Sequence, residues 1–234
     1  MDSYGKLYMI PCPIGDAYDV LPEANRAVLQ SLDYFIVENV RSARRFLSRA
    51  GIGKPIDGLT FAECNEHTRP EALQPMIQPL LEGRDAGFVS EAGVPGVADP
   101  GADIAALCHR AGIRVVPLVG PSSILLALMA SGQNGQSFAF NGYLPVKPPE
   151  RARALRMFEK RAGGGQSQLF IEAPYRNAKL FAEMLEVLSP HTRLTVAADI
   201  TSPSEFILTL PVALWRSRPR PDIDKRPAIF IIGQ

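Results

Sequence analysis

Ala86-Gly87-Phe88-Val89-Ser90-Glu91-Ala92-Gly93-Val94-Pro95-Gly96-Val97-Ala98-Asp99-Pro100-Gly101 decides the fold. Residues 86–90 form an apolar run of strand length, and the chain then breaks into a loop dense in Gly and Pro. A helix-period segment resumes after Gly101. A strand that exits through such a turn into a helix is half of a βαβ unit, and open α/β sheets bind ligands beyond the carboxyl ends of their strands. Gly lets backbone approach a ligand closely, and Pro holds the loop in one shape.

The same pattern repeats outward from this stretch. Residues 6–10, 34–38 and 114–119 are further strand candidates. Leu21, Ala24, Val28 and Leu32 recur at helical spacing after Asp19, and residues 41–50 read as a helix stopped by Gly51. Over 70–82, Leu73, Met76, Ile77 and Leu80 share a helical face although Pro75 and Pro79 lie inside it, which predicts a kinked helix. Two more turns follow strands: Pro11-Cys12-Pro13-Ile14-Gly15-Asp16, and Gly120-Pro121-Ser122-Ser123, whose serines can cap the next helix. The second half changes character. Strand candidates at 138–144, 168–173, 194–200, 205–210 and 228–233 are separated by only two long helical patterns, which predicts a mixed sheet. The expected architecture is therefore two α/β domains, 1–119 with a mainly parallel sheet and 120–234 with a mixed one.

Composition narrows the function classes. With 234 residues, 46% of them hydrophobic, the chain can bury two cores of ordinary size. Lys plus Arg number 25 against 24 Asp plus Glu, so any attraction to nucleic acid must be local. Cys12, Cys64 and Cys108 are odd in number and widely spaced, unlike a disulfide framework or a structural zinc site. The opening Met1–Gly5 carries no basic flank leading into an apolar stretch, and no run of 18 apolar residues occurs, so a cytoplasmic protein without a membrane partner is expected. None of the three turns matches a dinucleotide fingerprint or a phosphate-binding P-loop, which disfavours nicotinamide and nucleoside triphosphate chemistry.

In chain order, Pro11–Asp16, Glu38-Asn39-Val40-Arg41, Ser90–Gly101, Val119–Ser123, Phe140-Asn141-Gly142-Tyr143-Leu144-Pro145 and Ile171-Glu172-Ala173-Pro174-Tyr175-Arg176 resemble the tetrapyrrole methylases. Within that family they are most similar to the bacterial enzymes that methylate a ribose 2′-hydroxyl of small-subunit ribosomal RNA. The similarity runs from Leu7 to about Gly233. It implies the tetrapyrrole methylase fold and S-adenosylmethionine folded in a cleft between two domains. The positions carried over for the cofactor are Pro13, Ile14, Gly93, Val94, Pro95, Val97, Ser122 and Ser123, with Ala173, Ile200 and Ala228 from the second domain. Plain strand packing accounts equally well for Ile200 and Ala228. The resemblance also implies a homodimer and a partner in ribosomal RNA or the small ribosomal subunit. The chain departs from the ribosomal RNA enzymes at Asn39, at Glu91 where they have Asp, and at 198–202, where a substrate-facing Arg and Lys are missing.

Methyl transfer from a sulfonium requires positioning and removal of the hydroxyl proton. Glu91 and Glu38 are the candidate acid/base groups because each follows a strand. Asp99 reads as a cap for the helix beginning near Gly101. His67, His109 and His191 do not cluster with other ligands at metal spacing, and no metal is expected. On the substrate side, Arg41, Arg44, Arg45, Arg49 and Lys54 form a segment without acids, and Arg151, Arg153, Arg156, Lys160 and Arg161 recur along a helix. Arg41, Arg44, Arg45, Arg153 and Arg156 are candidates for phosphate contacts, alongside Tyr175 and Arg176; Tyr143, Tyr175 and Phe140 could stack on an unpaired base. Competing readings are a methyltransferase for a tetrapyrrole-like small molecule and a cofactor-binding protein without catalysis.

Overall fold

A computed structural model describes residues 4–234; residues 1–3, part of the stretch read for a leader, lie outside it. The chain divides into two compact units, Met1–Ser122 and Ser123–Gln234. Among the described residues no helix is long and apolar enough to cross a membrane.

The first unit runs β1 (Leu7–Ile10), α1 (Glu23–Ser31), β2 (Tyr34–Val37), α2 (Val40–Arg49), β3 (Thr60–Glu63), α3 (Pro70–Leu81), β4 (Ala86–Val89), α4 (Ala102–Arg110) and β5 (Val115–Pro117). Its sheet has the order β3-β2-β4-β1-β5 and every pairing is parallel. The strands are apolar at successive positions because helices cover both faces. Phe35 and Val37 pack with Leu29, Phe46 and Leu47 of α1 and α2. Tyr34 and Ile36 face Ile77 and Leu80 of α3 and Ile104 and Cys108 of α4. Two sequence expectations need correction. The first helix starts at Glu23, because Tyr18–Val20 forms a separate 3-10 turn and Pro22 takes the N-cap position. The edge strand β3 was not anticipated: Thr60-Phe61-Ala62-Glu63 is short, and its end residues Thr60 and Glu63 are exposed.

The second unit runs α5 (Ser123–Ser131), β6 (Phe138–Tyr143), α6 (Pro148–Gly163), β7 (Ser167–Ile171), α7 (Asn177–Val187), β8 (Arg193–Ala198), β9 (Phe206–Pro211), α8 (Val212–Arg216) and β10 (Ala228–Gly233). The order β6-β7-β10-β8-β9, with β6 and β7 parallel and the other pairings antiparallel, is the expected mixed sheet. Phe158 of α6 stacks at 6.0 Å on Phe170, which stacks at 6.2 Å on Phe230, while Leu169 and Ile231 point to the opposite face and Ile124, Ala127 and Leu128 of α5. Arg151 leaves the basic stripe read along this helix. It is buried, and its Nε donates to Glu183 Oε2 of α7 at 2.8 Å. Arg153 and Arg156 are exposed.

Candidate active site

In a parallel sheet all the carboxyl ends lie on one edge, so the turns that follow β1, β2, β4 and β5 meet there. Their contact is direct. Cys12 and Gly93 exchange backbone hydrogen bonds, Cys12 N–H to Gly93 O at 2.8 Å and Gly93 N–H to Cys12 O at 3.1 Å. The Cys12 thiol donates to Ser90 O at 3.3 Å. Gly120 lies against Pro11 so closely that a Cβ would stand 2.3 Å from that ring, which is why this position is Gly. Gly93 has φ +66° and faces the Pro121 carbonyl. The three Gly- and Pro-rich turns singled out in the sequence thus form one cradle, with Pro13 and Pro95 buried, Ile14 and Val94 half-buried and Val97 exposed. Ser122 ends the first unit and Ser123 begins α5.

Acids gather at the same edge. The Glu91 amide donates to Glu38 Oε2 at 3.1 Å, and the Ser42 hydroxyl donates to the Glu91 carboxylate. Asn39 caps α2, accepting from the amides of Arg41 at 2.9 Å and Ser42 at 3.1 Å, and this fixes the turn that presents Ser42. Asp99 is not the helix cap the sequence suggested. Gly101 takes that position without a side-chain bond, and Asp99 instead stands near Glu38, Glu91 and Ser90. Burial, then the charges of Glu38 and Glu91, push the Asp99 carboxyl up to about 6. The Ser90 hydroxyl opposes this, although it is buried and completes no hydrogen bond of normal geometry. Burial also raises Glu38, against the pull of the Glu91 amide, and it drives the Cys12 thiol up to about 12 with help from all three acids. Cys12 therefore stays a neutral thiol and has no nucleophilic part here. Among the described residues none of the three acids is in an ion pair.

A carboxyl raised on folding holds its proton more tightly in the folded state. Its contribution to stability is whole below the unfolded value of 3.8 and is lost as the pH rises through about 6. Asp99→Asn should abolish that loss and stabilise the protein at pH 8 by on the order of 1 kcal/mol, allowing for solvent screening of a half-buried group. Urea denaturation at pH 4 and pH 8 measures it; a variant with the parent's pH dependence would contradict the assignment.

At one end of the second sheet, the carboxyl ends of β7 and β8 and the start of the antiparallel β10 gather Ala173, Ile200 and Ala228. Ile200 and Ala228 are buried in core clusters and Ala173 is half-buried. Glu172 is buried and accepts from Ala173 N at 2.7 Å and from both Nε and Nη2 of Arg176, at 2.9 and 2.6 Å. The Arg176 guanidinium lies 5.4 Å from the exposed Tyr175 ring. Tyr143 is exposed and Phe140 packs against the core. On α2, Arg41 and Arg45 are exposed and Arg44 pairs with Asp57, so the apparent lack of acids in that segment is made good from elsewhere in the chain.

Residues 6–214 match the family model described as Tetrapyrrole (Corrin/Porphyrin) Methylases. The chain belongs to the tetrapyrrole methylase family. Among curated members it is 35% identical over 207 residues to Ribosomal RNA small subunit methyltransferase I of Vibrio cholerae, covering 88% of this chain and 69% of that protein. To the protein of the same name from Escherichia coli O157:H7 it is 30% identical over 231 residues, covering 99% and 78%. The methyltransferase CobJ superposes with a TM-score of 0.66 at 18% identity, covering 98% of this chain and 94% of that one. Uroporphyrin-III C-methyltransferase from Thermus thermophilus, in complex with S-adenyl homocysteine, superposes with 0.56 at 16% identity, covering 98% of both. Asp99, Ser42 and Ser90 stand beside the acids named from sequence. Ser90 and Asp99 share the loop of Glu91, but no local signal links Ser42 to it; only the strand order places the end of β2 beside the end of β4.

Proposed function

We propose that this chain is an S-adenosylmethionine-dependent methyltransferase that modifies a ribose 2′-hydroxyl of small-subunit ribosomal RNA. The observation that carries this reading is its 35% identity, over 88% of its length, to a protein named for small-subunit ribosomal RNA methylation. The residues at the sheet edge suit the cofactor: a Gly- and Pro-rich cradle for close backbone contact, and three carboxylates without basic partners to face a sulfonium. That sulfonium supplies an electrophilic methyl group. Pro13, Ile14, Gly93, Val94, Pro95, Val97 and Ser122 hold the cofactor, Glu91 accepts the hydroxyl proton, and Glu38 fixes the Glu91 backbone. Arg41, Arg45, Arg153 and Arg156 meet RNA phosphates, with the Tyr175 ring available for stacking.

Mapping ribose methylation in ribosomal RNA from cells with and without the protein tests the function. One small-subunit position should lose its methyl group in the deletion; identical maps, or methyl transfer to a tetrapyrrole in place of RNA, would overturn the reading. Gly93→Val should weaken cofactor binding about tenfold or more, because φ +66° disfavours a β-branched side chain and the added carbons enter the cradle. Gly58→Ala, where an added Cβ meets nothing within 4 Å, is the control. Equal dissociation constants in calorimetry would remove the cradle from the cofactor site. The protein is read further as a cytoplasmic homodimer, in which the exposed Leu125 and Met129, one turn apart on α5, would be covered.

A further inference from the structure

Trp215-Arg216-Ser217-Arg218-Pro219-Arg220-Pro221 ends α8 and runs on beyond it in the second unit, and it belongs to neither basic stripe read from the sequence. Its base is anchored. The buried Trp215 donates its indole N–H to Leu194 O at 2.8 Å and meets Phe181 edge-on at 5.2 Å. Arg216 donates to Leu185 O at 2.8 Å through Nε and to Leu188 O at 3.1 Å, satisfying carbonyls left open at the end of α7. Beyond it the chain bends at Arg218, whose amide donates back to Trp215 O at 3.3 Å, and Pro219 and Pro221 fix their own φ, so the two arginines are presented on a backbone stiffened by two prolines.

All three arginines line one open groove of about 470 Å³ together with Ala182, Leu185, Trp215 and a single carboxylate, Glu186. Three arginines of this unit are matched by acids, Arg151 with Glu183, Arg176 with Glu172 and Arg226 with Asp199. Arg218 and Arg220 are exposed, and among the described residues no side chain pairs with either. Unmatched guanidiniums two residues apart on a proline-stiffened segment fit a polyanion with a repeating charge. An isolated small anion would use one of them. Guanidinium forks bind phosphate oxygens bidentately.

We propose that this groove binds the phosphodiester backbone of an RNA strand, as a docking surface that works through Arg218 and Arg220. The proposal rests on the RNA methyltransferase reading above.

The test compares the unmodified protein with Arg218→Ala/Arg220→Ala and Arg218→Lys/Arg220→Lys, using a small-subunit ribosomal RNA transcript and the isolated small subunit as probes over a range of salt. The alanine pair should lose about tenfold in affinity for both and lower the salt slope by roughly one to two units; the lysine pair should recover the slope. Cofactor affinity and the unfolding midpoint should not move. If the unmodified protein binds and methylates RNA while the alanine pair keeps its affinity and slope, the groove is not a docking surface and the functional reading stands. Loss of binding to the subunit but not to naked RNA would assign the groove to a ribosomal protein and overturn the proposal. If the unmodified protein neither binds nor methylates either probe, the functional reading fails with it.

Discussion

Glu91→Gln should bind S-adenosylmethionine within a few-fold of the parent and turn over roughly 100-fold more slowly, the lower end of what a positioned general base contributes. The amide keeps the shape of the carboxylate and its capacity to accept from Ser42, but it cannot take the proton released from the ribose hydroxyl. Glu carries its carboxylate a carbon–carbon bond further from the backbone than the Asp that the family resemblance implies here, and it must be held from that position. Ser42, fixed at the start of α2 by the Asn39 cap, provides that hold. Single-turnover kinetics at saturating cofactor decide the matter. A raised cofactor dissociation constant with an unchanged saturating rate would mean that Glu91 only counterbalances the sulfonium charge in the ground state.

A larger effect on stability is expected from Glu183→Ala. The Arg151 side chain is 4% exposed and that of Glu183 is 15% exposed. Removing the carboxylate strands a buried guanidinium that keeps only the carbonyls of Pro145 and Val146, at 3.4 and 2.9 Å. Breaking a buried pair in this way costs about 3 kcal/mol or more, whereas replacing both partners by well-packed apolar residues is often neutral. In denaturant titrations Glu183→Ala should unfold the second unit early, and Arg151→Met/Glu183→Leu should recover most of the loss. A single variant within about 0.5 kcal/mol of the parent would mean that water reaches Arg151 and solvates it.

The layout of both units was legible because strand ends, turns and helix starts are local signals. The β4 run and its Gly/Pro loop each announce themselves within a few residues, and the mixed second sheet followed from strands without helices between them. The failures share one physical origin. Arg151 reads as one more exposed helix cation until α7 folds against α6 and brings Glu183 to it. Asp99 reads as a cap until the order β2-β4 sets Glu38 beside the loop that carries it. The edge strand β3, four residues long with only partly buried side chains, carries too weak an apolar pattern to stand out. Each depends on a partner distant in sequence, and periodicity says nothing about such partners.

The position of β10 also governs the order in which the chain can assemble. The strand lies between β7 and β8, yet it is made after both, so β6–β7 and β8–β9 remain separate two-stranded pieces until residues 228–233 leave the ribosome. The first unit draws every strand of its sheet from residues 7–117 and can close while synthesis continues. For the interval between, the second unit holds two half-sheets whose apolar faces and open β7 and β8 edges invite pairing with other nascent chains, a window in which translation speed and chaperone capture, more than final stability, determine the yield.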